Sequence, residues 1–254
     1  MRGSSDGTLW IGTARGLVSW KNNDLREHLQ HRINAIVEDH KGRIWVARGR
    51  VSEGGLCQVT GERPGCFGAD DRMKLPTAGV LAEDVHGNLW VGGGIRLLRW
   101  HDGSFEPYFR EQLASPSRPI GVESVAAAAD GSVWVAVPSE KSLGLLHIVD
   151  GRAERVALDG VKKQAFTTVF VDRVGALWLA AANDGLYRSY NGRVDHFGSR
   201  DGLSSDTVGN FFEDREGNLW FGTLSGGVTR LRDTQSAPRQ DLLLCAESDG
   251  RSRR

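Results

Sequence analysis

A tryptophan returns six times along this chain, at Trp10, Trp45, Trp90, Trp134, Trp178 and Trp220, at intervals of 35, 45, 44, 44 and 42 residues. Three positions before each stands a glycine: Gly7, Gly42, Gly87, Gly131, Gly175 and Gly217. The residue after each tryptophan is apolar (Ile11, Val46, Val91, Val135, Leu179, Phe221), and the next is Gly or Ala (Gly12, Ala47, Gly92, Ala136, Ala180, Gly222). A period of roughly 40–50 residues made of short apolar runs is the signature of stacked four-stranded units, the blades of a β-propeller.

Each column has a physical reading. Apolar runs such as INAIVED (33–39) and GNFFED (209–214) form a strand ending on an acid, and Asp39, Asp84, Asp172 and Asp214 stand six residues before their tryptophans. An Asp there accepts hydrogen bonds from backbone N–H groups of the following turn, and the glycine supplies positive φ at little cost. The next strand, LWVG in one copy, is apolar at successive positions, which predicts burial on both faces. The indole then fills the gap between blades while the small residue lets a neighbour approach. Before Trp10 and Trp134 the acid stands four residues back, at Asp6 and Asp130, which predicts a different partner for those two turns. A second Gly-apolar step (Gly16-Leu17, Gly185-Leu186) opens a third strand, and a polar stretch such as GRVDHFG (192–198) makes the fourth.

The composition agrees with many short strands and excludes several functions. Gly is abundant at 33 and Pro scarce at 7. The balance of 32 Lys+Arg against 32 Asp+Glu favours neither nucleic acid nor an anionic membrane. No apolar run approaches the ~18 residues of a membrane-spanning helix, so no direct membrane insertion is expected. The opening MRGSSDGTLW has no apolar core of a signal peptide and falls inside the repeat, which reads as a fragment or a mis-set start. Cys57, Cys66 and Cys245 lack zinc-site spacing and are read as free, half-buried thiols. A Cys57–Cys66 bridge in an oxidising compartment is the alternative.

The phrase DGLSSDTV (201–208), followed by EDREGNLWFGT (213–223) and GGV (226–228), resembles the repeat of the two-component regulator propeller family. EDHKGRIW (38–45), EDVHGNLW (83–90) and DGTLWIGTARGL (6–17) match it in part, so the resemblance runs from residue 5 to about 232. It implies a periplasmic sensor region of a sensor or hybrid histidine kinase that detects a glycan or other small ligand without doing chemistry itself. The partners it implies are that ligand and either the rest of the sensor kinase or a dimer partner. No kinase, receiver or DNA-binding segment accompanies the repeats in this sequence.

The expected fold is therefore all-β, a single propeller domain over residues 1–250 with a frayed basic tail at 251–254. Six blades are visible, as a six-bladed ring or a truncated seven-bladed arc. The chain is read as starting at the second strand of its first blade. The segment DLLLCAESDG (241–250) is read as the missing first strand, closing onto the opening residues. The stretches 76–84 and 106–121 are the most irregular, the latter a surface helix or lid.

Catalytic chemistry finds no support in the motifs. There is no nucleophile elbow, P-loop or dinucleotide fingerprint. His28, His31, His40, His86, His101, His147 and His196 scatter over turns and outer strands without metal-ligand spacing. No catalytic residue, metal site or cofactor is expected. Trp20 and Trp100, outside the anchor column, are candidate stacking platforms for a ligand, with packing against an outer strand as the other reading. The alternative functions are a protein-interaction scaffold and a lyase. Virginiamycin B lyases are propellers with a strand similar to GNLWF (217–221), but they carry Thr-Glu where this chain has Gly222-Thr223.

Overall fold

The structure is a computed structural model and describes residues 1–49, 55–59, 64–67, 78–93, 96–108, 121–137, 144–161, 165–231 and the backbone of 244–247. Its strands form six four-stranded antiparallel sheets, each running in chain order, the blades of an all-β propeller fold. Blade one holds β1 (Arg2–Gly3), β2 (Leu9–Gly12), β3 (Leu17–Lys21) and β4 (Asp24–Leu29). Blade two holds β5 (Ile33–Glu38), β6 (Ile44–Arg48), β7 (Leu56–Val59) and β8 (Gly65–Phe67). Blade three holds β9 (Val80–Glu83), β10 (Leu89–Gly93), β11 (Arg96–His101) and β12 (Ser104–Tyr108). Blade four holds β13 (Ser124–Ala127), β14 (Val133–Val137), β15 (Gly144–Val149) and β16 (Arg152–Val156). Blade five holds β17 (Phe166–Val171), β18 (Leu177–Ala181), β19 (Leu186–Tyr190) and β20 (Arg193–Phe197). Blade six holds β21 (Val208–Glu213), β22 (Leu219–Thr223), β23 (Val228–Leu231) and β24 (Leu244–Glu247). The chain divides into two compact units, Met1–Val135 with Ile148–Arg152, and Ala136–His147 with Ala153–Arg254.

Both terminal expectations need correction. The first blade has its own inner strand, because Arg2 and Gly3 pair with Trp10 and Leu9. The tail does not close onto the opening residues. Its β24 pairs with β23, Leu244 opposite Leu231 and Glu247 opposite Val228, and so supplies the outer strand that blade six needs. Of the irregular stretches, Val80–Glu83 is a regular strand, and the expected lid falls largely on 109–120, outside the described residues, as does the 251–254 tail.

The turn columns behave as the sequence predicts. All six glycines ahead of the tryptophans have positive φ, between 73° and 88°. The strands after them are buried along their whole length in β6, β10 and β18. Paired residues on neighbouring strands point to the same side, so each blade has two rows of faces. The tryptophan and its pairs form a trailing face; the residues on either side of it form a leading face. Trp45 on the trailing face of blade two packs 4.5 Å from Trp100 on the leading face of blade three, with Leu89, Val91 and Leu98 around it. In the second unit Trp178 meets Phe221 at 5.5 Å in the same way. Such burial of apolar surface between sheets is the main stabilising term in a repeat protein.

Candidate functional site

The Asp column does more than hold a turn. In blade three, Asp84 Oδ1 accepts the backbone N–H groups of His86 and Asn88, each at 3.0 Å, and its Oδ2 accepts the Trp90 indole N–H at 2.8 Å. Asp39 with Trp45, Asp172 with Trp178 and Asp214 with Trp220 repeat the indole bond, each at 2.8 Å. Burial pushes the carboxyls of Asp39, Asp84 and Asp214 up, but their hydrogen bonds outweigh it, from the Asn88 amide foremost at Asp84 and from the indole foremost at the other two, and hold Asp39 and Asp84 low and Asp214 at about 2. The sequence pattern showed the Asp and the Trp at fixed spacing but not that one carboxylate joins them.

The Glu of the Glu-Asp pair reaches the neighbouring blade. Glu38 accepts the Ser5 backbone N–H at 2.9 Å and its hydroxyl. Glu83 accepts the His40 backbone N–H at 2.8 Å and pairs with its Nδ1 at 2.6 Å. Glu213 does the same for the backbone N–H and guanidinium of Arg173. His40 is thus held at a blade junction, while remaining half exposed.

Blade one departs from this scheme, and a cleft opens there. Ser4 stands in the Asp column, and its hydroxyl turns to Asp6 and to the Thr8 carbonyl. Asp6 holds the Thr8 N–H and hydroxyl instead, and Lys21 at 2.8 Å, foremost among its partners, keeps its carboxyl low. The buried Trp10 indole nitrogen has no acceptor among the described residues. Between blades one and two lies a cleft of about 730 Å³. Trp10 and His28 line it with ring centroids 4.8 Å apart, beside Arg26, Glu27, Glu38 and Arg43. His28 Nε2 shares a hydrogen bond of 2.8 Å with Ser19 Oγ, and burial first, then Arg26, lowers its pKa, so the imidazole is neutral at neutral pH. Arg26 and Arg43 direct their Nε atoms to Asp24 and Asp39. The site therefore offers an aromatic wall with both hydrogen-bond donors and acceptors, the equipment for holding a small polar ligand. Among the described residues no three His, Cys, Asp or Glu side chains converge on a common point.

The two tryptophans expected as stacking platforms part company. Trp20 is 44% exposed, whereas Trp100 is 6% exposed and wedged against Trp45 and Phe67, so the packing reading holds for it. The thiol reading of the cysteines is also corrected. Cys57 and Cys66 lie directly opposite on β7 and β8 and form a disulfide. The hairpin register sets them opposite one another, which bears out the bridge that was the alternative reading.

Residues 202–225 match the family profile described as two component regulator propeller. Within them Gly202 has φ of 105°, Leu203 is buried, and Asp206 accepts the Ser199 N–H at 2.6 Å, which fixes the entry to blade six. No curated protein matches the chain in sequence. Several solved structures share the fold. Virginiamycin B lyase from Staphylococcus aureus has a TM-score of 0.70 at 15% identity, covering 94% of this chain and 83% of that one. PorZ, a surface component of the type-IX secretion system of Porphyromonas gingivalis, has a TM-score of 0.66 at 17% identity, covering 89% of this chain and 37% of that one. The extracellular domain of the putative hybrid two component system BT4673 from B. thetaiotaomicron has a TM-score of 0.59 at 18% identity, covering 91% of this chain and 38% of that one. No helix among the described residues is long and apolar enough to cross a membrane.

Proposed function

We propose that this chain is the ligand-sensing propeller of an extracytoplasmic two-component signalling protein, and that it binds without catalysing a reaction. The match of residues 202–225 to the two-component regulator propeller carries the reading. The likeness to the extracellular domain of a hybrid two-component system is in keeping with it, as is the Cys57–Cys66 disulfide, a bond that persists in oxidising compartments. The ligand is a small polar molecule of the oligosaccharide type, and its site is the cleft between blades one and two. A sugar ring suits the apolar Trp10 and His28 surfaces, and its hydroxyls suit Glu27, Glu38 and Arg26, which both accept and donate.

A thermal-shift screen against oligosaccharides, followed by titration calorimetry, tests this. A hit should raise the Tm of the wild type and fail with Arg26→Ala or Glu27→Ala, both side chains on the cleft wall. The lyase reading is favoured only by the shared fold of the lyase from S. aureus. Turnover of virginiamycin B or a lactone by the purified chain would sink the sensor reading.

A further inference from the structure

The repeat also shows what the cleft of blades one and two lacks. Three anchor tryptophans carry a guanidinium over the ring: Arg43 lies 5.5 Å from Trp45, Arg188 5.6 Å from Trp178 and Arg230 5.3 Å from Trp220. Arg188 and Arg230 stand directly opposite their tryptophans on the third strand of the blade. The negative face of an indole attracts a cation placed over it, so each ring is a favourable seat for positive charge. In blade one the residue opposite Trp10 is Ser19, and its hydroxyl is engaged with His28. Among the described residues no cation lies over the Trp10 ring, which lines the cleft instead.

The charges on the cleft wall leave a negative surplus. Asp6 is paired with Lys21 at 2.8 Å, Arg26 with Asp24 at 2.7 Å and Arg43 with Asp39 at 2.6 Å, so these pairs cancel. Glu38 receives only the neutral Ser5 N–H and hydroxyl, and Glu27 is exposed with no ion pair among the described residues. Arg2, on the Trp10 row, and Lys41, in the next turn, are not on the wall. We infer that the ligand of this cleft carries a protonated amine, as an amino sugar does, and is neither neutral nor acidic. The inference rests on the reading of the cleft as the ligand site. The ammonium group takes over the Trp10 ring the place that the arginines take over theirs, and Glu27 and Glu38 accept its N–H groups. An acidic sugar would bring its carboxylate to two that already lack a counter-charge, and be repelled.

Titration calorimetry of the purified chain with chitosan oligomers and with N-acetylated oligomers of equal length tests this, in mildly acidic, low-salt buffer that keeps the amines protonated. The amine form is expected to bind roughly tenfold tighter or more, the size of one charge-assisted hydrogen bond. Added salt should narrow the gap, because the carboxylates are in reach of solvent. Glu27→Gln, at an exposed side chain, and Glu38→Gln, which keeps an oxygen for Ser5, should each cut the preference severalfold while circular dichroism shows the fold unchanged. Acetylated oligomers that bind as well as the amines or better overturn the inference and leave the sugar-binding reading intact. A preference for the amine that survives both substitutions overturns it too. A chain that binds neither oligomer also overturns it, while the cleft reading falls only if the wider oligosaccharide screen is empty as well.

Discussion

At the residue scale the Asp-Trp clasp carries the argument. One carboxylate satisfies two backbone donors and an indole that burial would otherwise leave without partners, and a buried donor left unpaired costs about 1–3 kcal/mol. Asp84→Ala should therefore lower unfolding free energy by on the order of 3 kcal/mol in urea titration, because Trp90 and Asn88 lose their acceptor together. Blade one offers the converse. Ser4→Asp should place a carboxylate beside the Trp10 indole nitrogen and raise stability by about 1 kcal/mol, read as an increase in Tm. The clasp also fixes the acid response. The carboxyls of Asp39, Asp84 and Asp214 lie below their ordinary value of 3.8, with Asp214 at about 2, so their stabilisation is complete above that ordinary value and is lost as pH falls through the folded one. Urea midpoints should fall between pH 3.8 and about 2, and Asp84→Asn, which no longer titrates, should show a shallower fall.

At the scale of elements, the blade was legible because its constraints recur in sequence, and what was illegible depended on pairing across strands. The hairpins between third and fourth strands are an example of a signal present but easily passed over. Asp102-Gly103, Asp150-Gly151 and Asn191-Gly192 all have positive φ, the tight turn such dipeptides favour. Gly185 shows a constraint that sequence cannot display: φ is +68° and an added Cβ would lie 2.2 Å from the Phe197 carbonyl oxygen. Gly185→Ala should cost on the order of 2–3 kcal/mol, measured by denaturant titration, since both the backbone conformation and the space forbid a side chain. The Cys57–Cys66 link was one of two readings the sequence offered, and the register of β7 and β8 decides between them. Thiol titration of the denatured chain before and after reduction should show two further thiols released from the Cys57–Cys66 bond. Replacing both bonded cysteines with serine should destabilise by about 2–3 kcal/mol, the range for a short closed loop. The cleft was not legible either. Ser4, in the Asp column, lines it together with Trp10 and His28 from two different strands, a grouping that only the folded sheet makes.

At the scale of the whole molecule, charge and exposed apolar surface act together. With 32 basic and 32 acidic residues, the chain has no net repulsion near neutral pH to oppose contacts between molecules. It also exposes large apolar side chains, among them Leu224 at 80%, Phe212 at 63% and Leu25 at 59%. Solubility should therefore be lowest near neutral pH and rise on either side, where protonation or deprotonation gives the molecule a net charge. Salt separates the two contributions. Chloride only screens charges that already cancel, so it should change little, whereas sulfate strengthens apolar association and should deepen the minimum. Leu224→Lys removes an exposed apolar side chain and adds a charge without touching the core, so it should raise solubility at neutral pH. Precipitation measured across pH in chloride and in sulfate checks this. A minimum that ignores sulfate would mean that charge alone governs association and that the exposed apolar side chains contribute nothing to it.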